Sequence, residues 1–163
     1  MSVDTFLTIT SKRDVRQYAE TAVPDDVRRR ILDAGRLSGS SQNRQEWEFV
    51  VVETAQQELA RAVYAPHNVA SARFVVAIVG AVRPFDAGRA AQNMMLAAWN
   101  DGVASTPNGV ADEDIAAQIC GGHVRMVLSF GYPATPRDPT TRSAEDWSSR
   151  ANRKSLAEVV RVV

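Results

Sequence analysis

Phe74-Val-Val-Ala-Ile-Val-Gly-Ala-Val82, followed after three residues by Asp86-Ala-Gly-Arg-Ala-Ala-Gln-Asn-Met-Met-Leu-Ala-Ala98, decides the architecture. The first run is apolar almost without interruption, which predicts a central strand covered on both faces. The second is apolar nearly all round at helical length, and such a helix must be buried on most sides. Either it is sandwiched inside the monomer or a second subunit covers it. A doubly covered strand beside a deeply buried helix predicts a sheet flanked by helices.

Working outward, Val23-Pro24-Asp25-Asp26 marks a helix start, with proline and two acids in the first turn. Its apolar face is Val27, Ile31 and Ala34, and it should fade at Gly35 before the polar loop Ser38–Asn43. Trp47–Val52 reads as a strand, followed by a helix capped by Thr54 that Pro66-His67-Asn68 breaks. Ala104–Gly109 is turn-rich, Asp112–Cys120 is a helix ended by Gly121-Gly122, and Val124–Tyr132 is another strand. Upstream, Thr5–Tyr18 reads as a short helix and a charged turn. Residues 134–150 read as a polar loop, and Leu156–Val163 as a short strand or helix.

With 163 residues, 45% hydrophobic and 23% charged, the chain suits one globular domain over residues 1–163. Nineteen basic against nineteen acidic side chains leave no broad field for nucleic acid or an anionic membrane. The single Cys120 cannot form an internal disulfide, so it is read as a small buried residue. No basic-then-apolar leader opens the sequence, and no apolar run nears the ~20 residues that span a bilayer. A cytoplasmic protein is expected. His67 and His123 lack partners at metal-ligand spacing, so no metal site is expected. There is no phosphate-binding P-loop, no GxGxxG and no convincing nucleophile pair.

What remains is two basic clusters, Lys12-Arg13-Arg16 and Arg150-Arg153-Lys154. Taken alone they are either solvated surface charge or, if the chain ends meet, a phosphate pocket. Longer stretches narrow that choice. Lys12-Arg13-Asp14-Val15-Arg16-Gln17-Tyr18 resembles the opening motif of the FMN-dependent nitroreductase family. Ala34-Gly35 through Ser40-Ser41-Gln42-Asn43-Arg44-Gln45-Glu46-Trp47 to Val52 resembles its following loop and strand. Asp86–Ala98 is similar to its central helix, Gly102-Val103 to its glycine turn, Phe130-Gly131-Tyr132-Pro133 to its strand end, and Arg153-Lys154-Ser155-Leu156 to its close. Six pieces in order over nearly the whole chain make a specific pattern.

The resemblance implies an α+β, nitroreductase-like fold, with a central mixed β-sheet flanked by helices, and a homodimer with FMN at the subunit interface. By position it implies that Lys12, Arg13, Arg16 and Arg153 hold the FMN phosphate and ribityl, with Asp14 accepting from ribityl or flavin donors. Ser40, Ser41 and Asn43 would lie against the flavin from the partner subunit, and Gln45 would either join them or orient the loop. Ser105, Thr106, Pro107, Asn108 and Gly109 would pass the isoalloxazine ring, where a backbone N–H or hydroxyl reaches N5. The implied activity moves electrons from NADH or NADPH through FMN to a nitroaromatic, quinone or similar small acceptor, with no catalytic side chain of its own.

Several departures qualify that expectation. The chain is short for the family and lacks its lid insertion, so an open flavin face is expected. Ser38-Gly39 and Glu46 replace prolines or their neighbours, which predicts a more mobile loop. Lys12 replaces an arginine and loses its bidentate grip. Asp14 also suits the flavin-fragmenting dimethylbenzimidazole synthases. The open face suits a flavin-binding protein without turnover.

Overall fold

The computed structural model describes residues 4–163. It divides into two compact units, Arg13–Arg137 and the two chain ends, residues up to Lys12 together with Asp138–Val163.

The central unit is built on four strands, β1 (Glu48–Val51), β2 (Phe74–Val79), β3 (Ala104–Asn108) and β4 (Val124–Gly131). Their order is β1-β2-β4-β3, and every neighbouring pair is antiparallel. The expected mixed sheet is corrected by this topology. The helical crossover after β2 leaves β3 parallel to it in direction, but β4 inserts between them, so each ladder becomes antiparallel. Among the described residues, the parallel pairing is one isolated bridge, Asp14 to Ser105.

All six residues of β2 are buried, as its uninterrupted apolar run predicts. Phe74, Val76 and Ile78, with Leu128 and Phe130 of β4, pack in one core cluster. Ile31 of α2 (Asp25–Arg36) and Met94 of α5 (Pro84–Asn100) complete it. Val75, Ala77, Val79 and Val127 belong to a second cluster. It draws on Leu59, Val69 and Ala116 of α3 (Gln56–Ala60), α4 (Pro66–Ala70) and α6 (Glu113–Cys120).

Some expected boundaries move. Gly35 lies inside α2 rather than ending it, because Met94 and Phe49 occupy the space a Cβ would need, so glycine permits close helix packing. Pro66 opens α4 at its first turn, where its missing N–H costs nothing, instead of only breaking a helix. The turn-rich run after Gly102 is the edge strand β3, which tolerates Pro107 as a central strand would not. Gly121 ends α6 as expected, at φ 78°, the left-handed region glycine enters freely. Within one chain α5 is not buried all round. Met94, Met95, Ala98 and Trp99 are buried, yet Phe85, Gly88, Arg89, Gln92 and Asn93 are exposed.

In the terminal unit, Asp4 caps α1 (Thr5–Ser11) through Oδ1, which accepts from the Phe6 and Leu7 amides. The expected polar loop contains a 3-10 turn, Pro139–Thr141, and α7 (Ala144–Ser149), capped by Ser143. Trp147 ties them, donating from Nε1 to the Pro139 carbonyl at 2.8 Å beneath the Arg142 guanidinium. The last element is a helix, α8 (Leu156–Val159), with Ser155 and Glu158 forming a capping box. Among the described residues no helix is long and apolar enough to cross a membrane.

Candidate functional site

Arg13-Asp14-Val15-Arg16 runs beside the outer edge of β3, and hydrogen bonds hold it there. The Val15 amide donates to the Ser105 carbonyl at 3.2 Å, and Thr106 Oγ1 donates to the Val15 carbonyl at 2.7 Å. Val15 packs with Trp99 and Ala104. This anchors the loop while leaving Asp14 and Arg16 exposed and Arg13 half-buried. Arg16 donates no hydrogen bond and joins no ion pair among the described residues. The structure thus brings together two of the sequence-predicted groups, the basic opening motif and Ser105–Gly109.

Within β3 the side chains are committed inward. Ser105, Thr106 and Asn108 are 1%, 2% and 3% exposed, so they can meet a ligand only through backbone, whereas Pro107 and Gly109 are half-buried. The Ser105 hydroxyl is buried without a hydrogen-bond partner. Asn108 is the hub of a polar cluster. Its Nδ2 donates to the Thr106 carbonyl at 3.0 Å, the Val127 carbonyl at 3.1 Å and Ser129 Oγ at 3.1 Å. Its Oδ1 accepts from Asn68 Nδ2 of α4 at 3.0 Å. Tyr18 closes the cluster, its hydroxyl 3.2 Å from the Ser129 carbonyl and 3.1 Å from Ser129 Oγ. Burial pushes the Tyr18 phenol above its ordinary value, against its hydrogen bonds to Ser129 and Thr106. Sequence reading missed Tyr18, Asn68 and Ser129. Their separation along the chain leaves no local signal, although a polar residue inside an otherwise apolar strand such as Ser129 hints at a partner.

Ser40, Ser41, Asn43 and Gln45 form a second group with a different anchor. The Ser41 amide donates to Asp86 Oδ2 at 3.1 Å, and Arg83 Nη1 donates to Ser41 Oγ at 3.3 Å, tying the loop to the start of α5. The Gln45 amide donates to Ser40 Oγ at 2.9 Å, and Gln45 Nε2 donates to Asn43 Oδ1 at 3.2 Å. Below the loop, Asn93 Nδ2 donates to Ser38 Oγ at 2.7 Å. Gln42, Asn43 and Gln45 all have positive φ, near 54°, 55° and 52°. Non-glycine residues in that region are strained, and such strain gathers at ligand clamps. Loss of the prolines has not left the loop without local fixation.

Lys12 and Arg153 both lie in the terminal unit. Lys12 caps the C-terminal end of α1, and Arg153 donates from Nη1 to the Ala151 carbonyl at 2.8 Å. Cys120 is buried at the end of α6, and desolvation pushes its thiol upward, which suits an inert core residue.

Helices on both faces of an antiparallel sheet, with a basic loop bridged to the edge strand, define a nitroreductase-like α+β fold. The Nitroreductase family model matches residues 9–79, which bears out the resemblance over the opening motif, the polar loop, β1 and β2. Solved structures extend the fold likeness over the whole chain. A nitroreductase family protein from Streptococcus pneumoniae TIGR4 superposes with a TM-score of 0.83 at 16% identity, covering 98% of this chain and 100% of that one. A candidate NADH dehydrogenase/NAD(P)H nitroreductase from Bacteroides thetaiotaomicron gives 0.81 at 22%, covering 99% and 98%. A candidate nitroreductase in complex with FMN from Desulfovibrio desulfuricans gives 0.80 at 23%, covering 98% and 96%. In all three the match covers at least 96% of both chains, so these solved proteins are of similar length to this one.

Proposed function

We propose that this chain is an FMN-dependent oxidoreductase of the nitroreductase type, its residues 1–163 acting as one FMN-binding domain. The observation that carries the reading is the docking of Arg13–Arg16 on β3. It sets the exposed Arg16 guanidinium beside an edge strand whose Thr106 and Asn108 side chains are already hydrogen-bonded within the protein. The donor set fits FMN. Arg13 and Arg16 supply the planar, bidentate donors a phosphate prefers, and Asp14 is an exposed acceptor for hydroxyl or ring N–H groups. Lys12 and Arg153 are further candidate phosphate cations.

Bound FMN would supply the redox chemistry, accepting a hydride equivalent from NADH or NADPH and passing electrons to a nitroaromatic, quinone or similar small acceptor. The chain's own part is to bind and orient. The Ser105–Gly109 backbone, Pro107 excepted, would offer N–H donors where negative charge gathers on the ring, and preorganised donors of that kind stabilise it without reorganisation. Ser40, Ser41, Asn43 and Gln45 are assigned to the flavin of the partner subunit in a homodimer. The exposed α5 face, with Phe85 at 76% exposure, supports such a partner. The solved relative containing FMN supports the cofactor, and the Bacteroides relative's name supports the nicotinamide donor.

The test is spectroscopic. Purified or reconstituted protein should show a bound-flavin spectrum that NADH or NADPH bleaches anaerobically and that a nitroaromatic or quinone restores. Bound FMN that neither nicotinamide reduces would leave a binding protein without turnover. No FMN after reconstitution would remove the assignment.

A further inference from the structure

We propose that Asn68, Asn108, Ser129 and Tyr18 form a positioning relay that fixes the two flavin-facing segments relative to one another. The inference rests on the flavoprotein reading and assigns these side chains a task that does not require touching the flavin. Asp14–Tyr18 and Ser105–Gly109 are about 90 residues apart in sequence, since Thr106 bonds to Val15 across 91 positions. Regular pairing joins them weakly, through one isolated bridge. Backbone bonds at the Tyr18–Pro133 bridge tie the loop's end to the chain just after β4, and side chains supply the direct constraint between the loop and the β3–β4 pair.

The route is continuous. Asn68 donates to Asn108, Asn108 donates to Ser129 and to two backbone carbonyls, and Ser129 meets the Tyr18 hydroxyl. From Thr106 a separate bond returns to Val15, two residues from Asp14's neighbour Arg13. Asn68, Asn108 and Ser129 are 6%, 3% and 0% exposed, so no water competes for these bonds and each donor lost leaves an unpaired group. Edge strands are otherwise prone to slip and fray. An amide clamped on four sides holds Pro107–Gly109 in place, and Tyr18 holds the end of the basic loop to the same strand pair. Both asparagines act through backbone that they position.

The experiment uses Asn68→Leu and Tyr18→Phe, with Ile31→Val as a core control remote from the relay. In the apo protein, hydrogen exchange at the Val15, Thr106, Asn108 and Gly109 amides should rise about tenfold in each relay variant. FMN dissociation constants, read by flavin fluorescence, should rise by about the same factor, which is the loss of one net hydrogen bond. The reduction potential of bound FMN should fall as the N–H donors lose their fixed aim. Ile31→Val should lower the melting temperature while leaving exchange at those amides, FMN affinity and potential at wild-type values. If wild type binds FMN and both folded relay variants match it in affinity and potential, the inference is overturned. If Asn68→Leu does not fold, Tyr18→Phe alone decides. A wild-type chain without FMN affinity overturns the flavoprotein reading itself, and the inference with it.

Discussion

The two loops assigned to the cofactor are held by opposite means. Ser40–Gln45 is exposed or half-exposed, carries three non-glycine residues at positive φ, and is secured by a few polar bonds to Asp86 and Arg83. Ser105, Thr106 and Asn108 are buried in regular strand geometry, and the side-chain polar atoms of Thr106 and Asn108 are all hydrogen-bonded. One segment stores backbone strain at the surface; the other spends its side chains on being rigid. A site assembled from both gains an adjustable wall and a fixed one. The fixed wall is the better place for N–H donors that must stay aimed.

Removing the basic side chains beside the fixed wall should have the largest effect. Arg13→Ala with Arg16→Ala should weaken FMN binding roughly a hundredfold or more, since two charge-assisted bonds are lost together. Arg16→Ala alone should leave the melting temperature of the apo protein near wild type, because Arg16 makes no hydrogen bond or ion pair among the described residues. Retained affinity in a titration would show that the phosphate lies elsewhere. Next comes the fixed wall. Thr106→Val strands the Val15 carbonyl and should cost about 1–3 kcal/mol in denaturant unfolding. An unchanged midpoint would show that the strand edge is looser than its hydrogen bonds imply.

The adjustable wall should respond in the opposite direction. Gln45→Gly relieves a left-handed residue and should stabilise the chain by about 0.5–1 kcal/mol, reduced by its lost contact to Asn43. Destabilisation there would mean that the side-chain bond outweighs the strain. The smallest effect is on pH dependence. Burial raises the Tyr18 phenol in the folded state above its ordinary value. The folded state therefore holds that proton more tightly, a contribution fully present below pH 10 and lost as pH rises through the folded value. Tyr18→Phe should flatten that part of the alkaline decline in stability, and an identical alkaline profile would contradict it.

Much of the scaffold can be read directly from residues. The apolar run of β2, the Val27 and Ile31 stripe on α2, and the Gly121 stop after α6 obey local rules that tertiary packing does not override. Ala104–Asn108 escapes those rules. Its Ser, Thr, Pro and Asn are turn residues by propensity, and only the ladder to β4 and the loop at Val15 make them a strand. The sheet's antiparallel pairing likewise depends on where β4 inserts, which no single segment encodes. For the site, the basic motif and the Ser40–Gln45 loop are visible as sequence patterns. The Asn68–Asn108 pair spans 40 positions and the Tyr18–Ser129 pair 111, so neither is legible without the fold.

Native mass spectrometry of the reconstituted protein tests the central claim most directly. A dimer carrying two FMN molecules is expected, and the Arg13→Ala/Arg16→Ala variant should appear as protein without flavin. A wild-type chain that binds no FMN, or holds it as a stable monomer, would contradict the account.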